Sequence, residues 1–173
     1  MFGFARTMTR TDGIAEPLAG YAEMIETASG QLAALLDELS LAARIERGRY
    51  EPRLEDVNTA DLARAAAEHL GAERVGVSGE GGVVLVDPEP TRRAVAALVR
   101  CALRHGGLEH VDAVADQQEI RVFPITAASA PVVLGDDLRD LGAAVAVRLI
   151  ERLGGSVAVE DGTLHVRLAA DAL

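Results

Sequence analysis

Between Tyr21 and Gly48 the apolar residues Ile25, Ala28, Leu32, Leu35, Leu39 and Ala42 recur at alternating steps of three and four. That spacing gathers them into one narrow stripe along a helix, the a/d seam of a coiled coil or helical bundle, and a second helix is needed to cover it. The pattern predicts a long helix over about 21–47, stopped by Gly48 and kept from resuming by Pro52. Before it, residues 1–20 predict only a short or broken helix.

After Gly48 the chain alternates helices with pairs of short β-type runs. Asn58 or Thr59 can cap a helix reaching about Leu70, with Leu62, Ala65, Ala66 and His69 turned inward. Runs at 74–77 and 83–86 flank SGEGG, a hairpin or loop signal. Asp87-Pro88 opens a second helix that ends at His105-Gly106-Gly107 and buries Val95, Leu98, Val99 and Ala102. Strands are expected at 111–115 and 119–125, and TAASAPVVLGDD as a loop. A helix over 138–153 and strands at 156–160 and 163–168, joined by the hairpin signal Asp161-Gly162, complete the chain. The fold class is therefore α+β. A helical dimerisation segment over 1–50 precedes a two-layer sandwich over 51–173, with helices covering one face of an antiparallel or mixed sheet.

Composition narrows the function classes. With 3% aromatic residues the core has to be built from Ala, Val and Leu. One cysteine, Cys101, excludes an intrachain disulfide and fits a reducing, cytoplasmic setting. A net charge of −10 opposes a nucleic-acid phosphate backbone. No apolar run has the length of a membrane span. No Cys/His cluster stands at metal-ligand spacing in the sequence, which argues against a structural zinc site. No cofactor is expected.

The order of these pieces resembles the cytoplasmic core of a bacterial sensor histidine kinase. In that family a dimerising, phosphotransfer helical hairpin precedes an ATPase domain of the type shared with Hsp90, gyrase B and MutL. The resemblance runs from Tyr21 to about Leu168. AARIERG is similar to the common end of the second hairpin helix, and Val57 with Leu62 to the start of the ATPase domain. Asp87 is similar to the aspartate that opens the family's next helix. Fourteen residues on, Cys101 stands where that family carries its magnesium-binding asparagine. LGGSVAVEDGTLHVRL matches the terminal Gly-Gly and hairpin.

The departures imply lost chemistry. The family's two asparagines, four residues apart, are here Ala97 and Cys101, neither of which offers the hard oxygen that magnesium takes. In VFPITAAS, Pro124 replaces the adenine-binding aspartate, and Thr126 and Ala128 replace two glycines. In LRDLGA only Gly142 survives of the last glycine box, and Asp140 brings a negative charge to a phosphate position. The loop between Pro131 and Leu138 is too short for an ordinary nucleotide lid. Arg104 and His105 keep the family's basic-then-His pair. Asp12, in TDGIAEPL, stands at the phosphoacceptor histidine, and the first hairpin helix is cut to about half its usual length.

Plainer readings apply to the remaining polar residues. His69 is expected to be partly buried, His105 to sit at a helix end favourable to the macrodipole, and His110 and His165 on the surface or in strands. Cys101 reads as an inert packed thiol. Asp136, Asp137 and Asp140 read as helix N-terminal caps.

The resemblance implies a pseudokinase. It would be a catalytically inactive module of a two-component system, a homodimer through the 21–47 helix in a four-helix bundle, docking a response regulator or a histidine kinase. The vestigial nucleotide pocket would comprise Ala97, Cys101, Arg104, His105, Pro124 and Gly142. Two alternatives stand beside it. One is a residual nucleotide-binding or phosphotransfer protein with an unorthodox site around Arg104, His105 and Gly142. The other is an anti-sigma-like regulator on the same scaffold.

Overall fold

The computed structural model describes residues 16–170, which divide into two compact units at the Ser40–Leu41 boundary. Helix α1 (Glu16–Glu46) runs through this boundary. It begins five residues before the expected start, since Pro17 falls in the first turn, where a missing N–H leaves no bond unmade. Most of the broken-helix expectation, and Asp12 with it, lies outside the described residues.

In the first unit α1 leaves Tyr21, Met24, Ile25, Leu32, Leu35, Leu36 and Leu39 exposed. In the second unit its last turns behave differently. Leu41 and Ile45 pack against the core, and Gly48, at φ 64°, ends the helix. Tyr50 is then buried, with its hydroxyl donating to Asp87 Oδ2 at 2.7 Å and the Arg44 guanidinium 5.5 Å from its ring centre. Desolvation of the phenol, reinforced by the Asp87 carboxylate, pushes its pKa well above the ordinary tyrosine value.

The second unit continues through β1 (Glu55–Asn58), α2 (Thr59–Leu70), β2 (Val75–Ser78), β3 (Val83–Val86) and α3 (Pro88–Gly106). Then follow β4 (Val111–Asp116), β5 (Glu119–Phe123), the single turn α4 (Ala130–Val133), α5 (Leu141–Arg152), β6 (Ser156–Glu160) and β7 (Thr163–Arg167). Five strands form one mixed sheet in the order β2-β4-β5-β7-β6, with only β2 and β4 parallel. Alternation sets its faces: Val111, Ala113 and Ala115 of β4, Ile120 and Val122 of β5, and Leu164 and Val166 of β7 are buried, while Asp112, Asp116 and Arg167 are exposed. Helices α2, α3 and α5 supply the other layer. Helices α3 and α5 pack against each other and contribute Ala97, Ala102, Ala143 and Ala146 to one core, small side chains that suit close packing.

Of the two readings of SGEGG, hairpin or loop, the loop is the one found: β2 joins the large sheet, and β3 pairs antiparallel with β1 in a separate two-stranded sheet. The cause is the loop between them, held elsewhere by the buried Thr59. Its hydroxyl donates to Gln117 O at 2.7 Å and accepts from Gly82 N at 3.1 Å, while Thr59 N donates to Gly82 O at 3.0 Å. Three expectations need correction. In α2 the inward stripe is Leu62, Ala63, Ala66 and Ala67, and His69 is exposed. Ala-rich helices define their buried face poorly because one methyl suits either side. The expected loop after Ile125 contains α4. Finally, α5 starts at Leu141 because Asp140, not an earlier aspartate, is its N-cap. Asp137 instead accepts from Arg139 Nε at 2.7 Å.

One loop glycine is indispensable by geometry. Gly79 has φ 93°, and a Cβ there would collide with the carbonyl oxygen of Ala115 in β4. Gly79→Ala should destabilise the domain by about 2–3 kcal/mol, combining left-handed strain with a backbone clash. The midpoint of urea unfolding reads this directly, and an unchanged midpoint would contradict it.

Candidate functional site

Of the six residues of the expected pocket, four lie on α3 from its middle onward, Gly142 lies at the start of α5, and Pro124 lies apart from both helices in the chain. Ala97, Cys101 and His105 are one helical turn apart, at i, i+4 and i+8, and so share a face. Cys101 is 0% exposed and Ala97 is buried in the same core. Gly142 is buried in the first turn of α5. Arg104 and Pro124 are exposed, the latter directly after β5. The turn that follows is closed on itself: Thr126 N donates to Ser129 Oγ at 3.1 Å and Ser129 N to Thr126 Oγ1 at 3.3 Å.

The sequence places Asp140 as a cap at a phosphate position but does not convey its approach to His105. It is buried at the start of α5, where Oδ1 accepts from Ala143 N at 3.1 Å. The second oxygen, Oδ2, lies 3.4 Å from His105 Nε2. That approach is off the hydrogen-bonding line, so the buried Nε2 has no hydrogen-bond partner. Cys101, His105 and Asp140 each offer one ligand atom, and all three lie within 4.8 Å of one another. The expectation of no Cys/His cluster at ligand spacing is thereby corrected: Cys101 and His105 share a helix face at i, i+4, and Asp140 joins them from another element.

Electrostatics separates two kinds of chemistry here. Burial pushes the Cys101 thiol up to about 12, with the Asp140 carboxylate adding to the effect and Arg100, Arg104 and Arg139 partly opposing it. At neutral pH the free thiol is therefore protonated, so it is no nucleophile. The α5 N-terminus is equally unsuited to phosphate, because the carboxylate of Asp140 already caps it and supplies the charge an anion would have brought.

The expected seam residues lie elsewhere. Ile25, Ala28, Leu32, Leu35 and Leu39 are exposed on α1 in the first unit. Ala42 is half-buried in the second unit and lines a groove of about 420 Å³ with Leu134, Leu138 and Leu141. A cavity of about 550 Å³ between β1 and the start of α3 is lined mainly by charged groups, among them Asp56, Asp61, Glu89 and Arg92.

Comparison with solved structures places this arrangement of elements. The Acinetobacter baumannii histidine kinase AdeS superposes with a TM-score of 0.67 at 15% identity, over 97% of this chain and 93% of that one. Full-length ShkA in complex with AMPPNP gives a TM-score of 0.72 at 20% identity, over 99% of this chain and 43% of that one. The fold is that of the histidine kinases. The ATP binding domain of PrrB from Mycobacterium tuberculosis adds a TM-score of 0.56 at 22% identity, over 69% of this chain and 99% of that domain. The chain thus spans under half of ShkA's length but nearly all of the AdeS chain. No protein-family model matches the sequence, and no curated protein does. Among the described residues no helix is long and apolar enough to cross a membrane.

Proposed function

We propose that this chain is a catalytically silent, histidine-kinase-like signalling module that works as a homodimer by binding protein partners of a two-component system. The observation that carries the reading is the complete burial of Cys101. In an active relative that position has to present an oxygen to magnesium; here it presents a protonated sulfur to the interior of the α3–α5 contact. Asp140 supports the same reading from the other side, since it occupies the amide that would otherwise face a phosphate.

Dimerisation is supported by the exposed leucines of α1. A row of large apolar side chains along one helix, on a fold similar to solved histidine kinases, is the surface a second copy would cover. A response regulator or an active histidine kinase is the partner class that follows. The alternative of an unorthodox nucleotide site gains little, because of its three residues Gly142 is buried and only Arg104 is freely exposed.

Titration calorimetry with magnesium and ATP tests the reading. No saturable heat is expected up to millimolar nucleotide. Micromolar binding would overturn it and promote the nucleotide-site alternative.

A further inference from the structure

We propose that Cys101 Sγ, His105 Nε2 and Asp140 Oδ2 form a binding site for a borderline transition-metal cation, zinc in the first instance. The site bridges α3 to the N-terminus of α5. The inference rests on these three side chains alone and does not depend on whether nucleotide binding has been lost.

Four observations carry it. The donor atoms come from three residues and two elements, yet lie within 4.8 Å of one another. The His105 Nε2 to Asp140 Oδ2 separation is 3.4 Å. Two ligands at about 2.0–2.1 Å from a tetrahedral zinc are about 3.3 Å apart, so this pair already has the spacing the metal needs. Further, His105 Nε2 is buried and makes no hydrogen bond although a carboxylate oxygen lies 3.4 Å away, which leaves its lone pair open to a metal. Finally, Cys101 and His105 are separated by one helical turn, which directs both to one point beside the helix.

The donor set also selects the metal. Thiolate, imidazole and carboxylate together suit zinc or cobalt and are poor ligands for magnesium, which prefers an all-oxygen octahedron. The partly exposed edge of His105 gives a cation a route in. Binding forms a metal–sulfur bond and releases the thiol proton to solvent. Three protein ligands leave one tetrahedral position for water. Asp140 can serve both roles, as Oδ1 caps α5 while Oδ2 faces the site.

The test uses the full chain, reduced and stripped with a chelator, titrated with cobalt(II) and then with zinc against a chromophoric competitor. One equivalent of cobalt should bind with a thiolate-to-metal charge-transfer band in the near ultraviolet, and zinc should displace it. Cys101→Ala, Cys101→Ser and His105→Gln should each weaken zinc binding by at least about 100-fold, because outer-shell partners alone are worth about 10–100-fold. Asp140→Asn keeps the cap but loses the anionic ligand, so it should weaken binding while preserving the melting temperature. His110→Ala, which removes the exposed His110–Asp112 pair, should change nothing. Circular dichroism of each metal-free variant verifies its fold. Absence of binding, cobalt spectra without the sulfur band, or equal affinity in Cys101→Ala would each overturn the proposal and leave His105 and Asp140 as an ion pair only.

Discussion

Truncating Leu32, Leu35 and Leu39 together to Ala should convert a particle of twice 18.1 kDa into one of 18.1 kDa, read by light scattering at roughly tens of micromolar protein. These side chains are 62, 45 and 51% exposed on the isolated chain. Covering each by a partner helix is worth about 2 kcal/mol. Six truncations across a symmetric pair therefore remove on the order of 10 kcal/mol, close to the whole free energy of a nanomolar complex at about 12 kcal/mol. The sheet domain should survive, because its core is built from residues after Tyr50 together with Leu41 and Ile45. A wild-type chain that is already monomeric, or a triple variant that keeps the dimer mass, would sink the homodimer.

The parts of the fold readable in the sequence are those set by neighbours along the chain. The inward face of α3 (Val95, Leu98, Val99 and Ala102) is fixed by helical periodicity, and the β6–β7 hairpin by Asp161-Gly162, where φ is 47° and 73°. What stayed hidden depends on distant partners. SGEGG reads as either a hairpin or a loop until Thr59 and Ala115, remote in sequence, are found holding it against the end of β4. His69 reads as inward only because the alanines around it define no face.

The candidate site divides along the same line. Cys101 and His105 declare a shared helix face by their spacing, whereas Asp140 reads correctly as a cap and conceals its second role. One oxygen makes the local bond the sequence foretells, to Ala143 N; the other meets His105 through the packing of α5 on α3. On α1 the spacing predicts a seam, and the structure shows its large side chains exposed. Which molecule covers them is not encoded in the spacing.

Replacing Ala97 and Cys101 by Asn returns both residues that the resemblance places there, yet the double variant should still bind no ATP and should lose on the order of 3 kcal/mol of stability. Each position is now interior: Ala97 and Cys101 belong to the core shared by α3 and α5. Asn at 97 adds three heavy atoms where a methyl fits, and overpacking of this kind costs about 1–3 kcal/mol. Each amide also gives up its water, a loss of about 1–3 kcal/mol wherever no partner replaces it. Part of that loss is offset at 101, where Asp140 could accept from the new amide. The melting temperature should fall by roughly 10 °C, and calorimetry with magnesium and ATP should remain flat. Recovered nucleotide binding would mean that the pocket is intact and short only of its oxygens. An unchanged melting temperature would mean that the space beside α3 is not yet core. The expected pair of results instead means that the space beside α3 is filled by packing against α5, so that restoring the oxygens alone reopens no cleft.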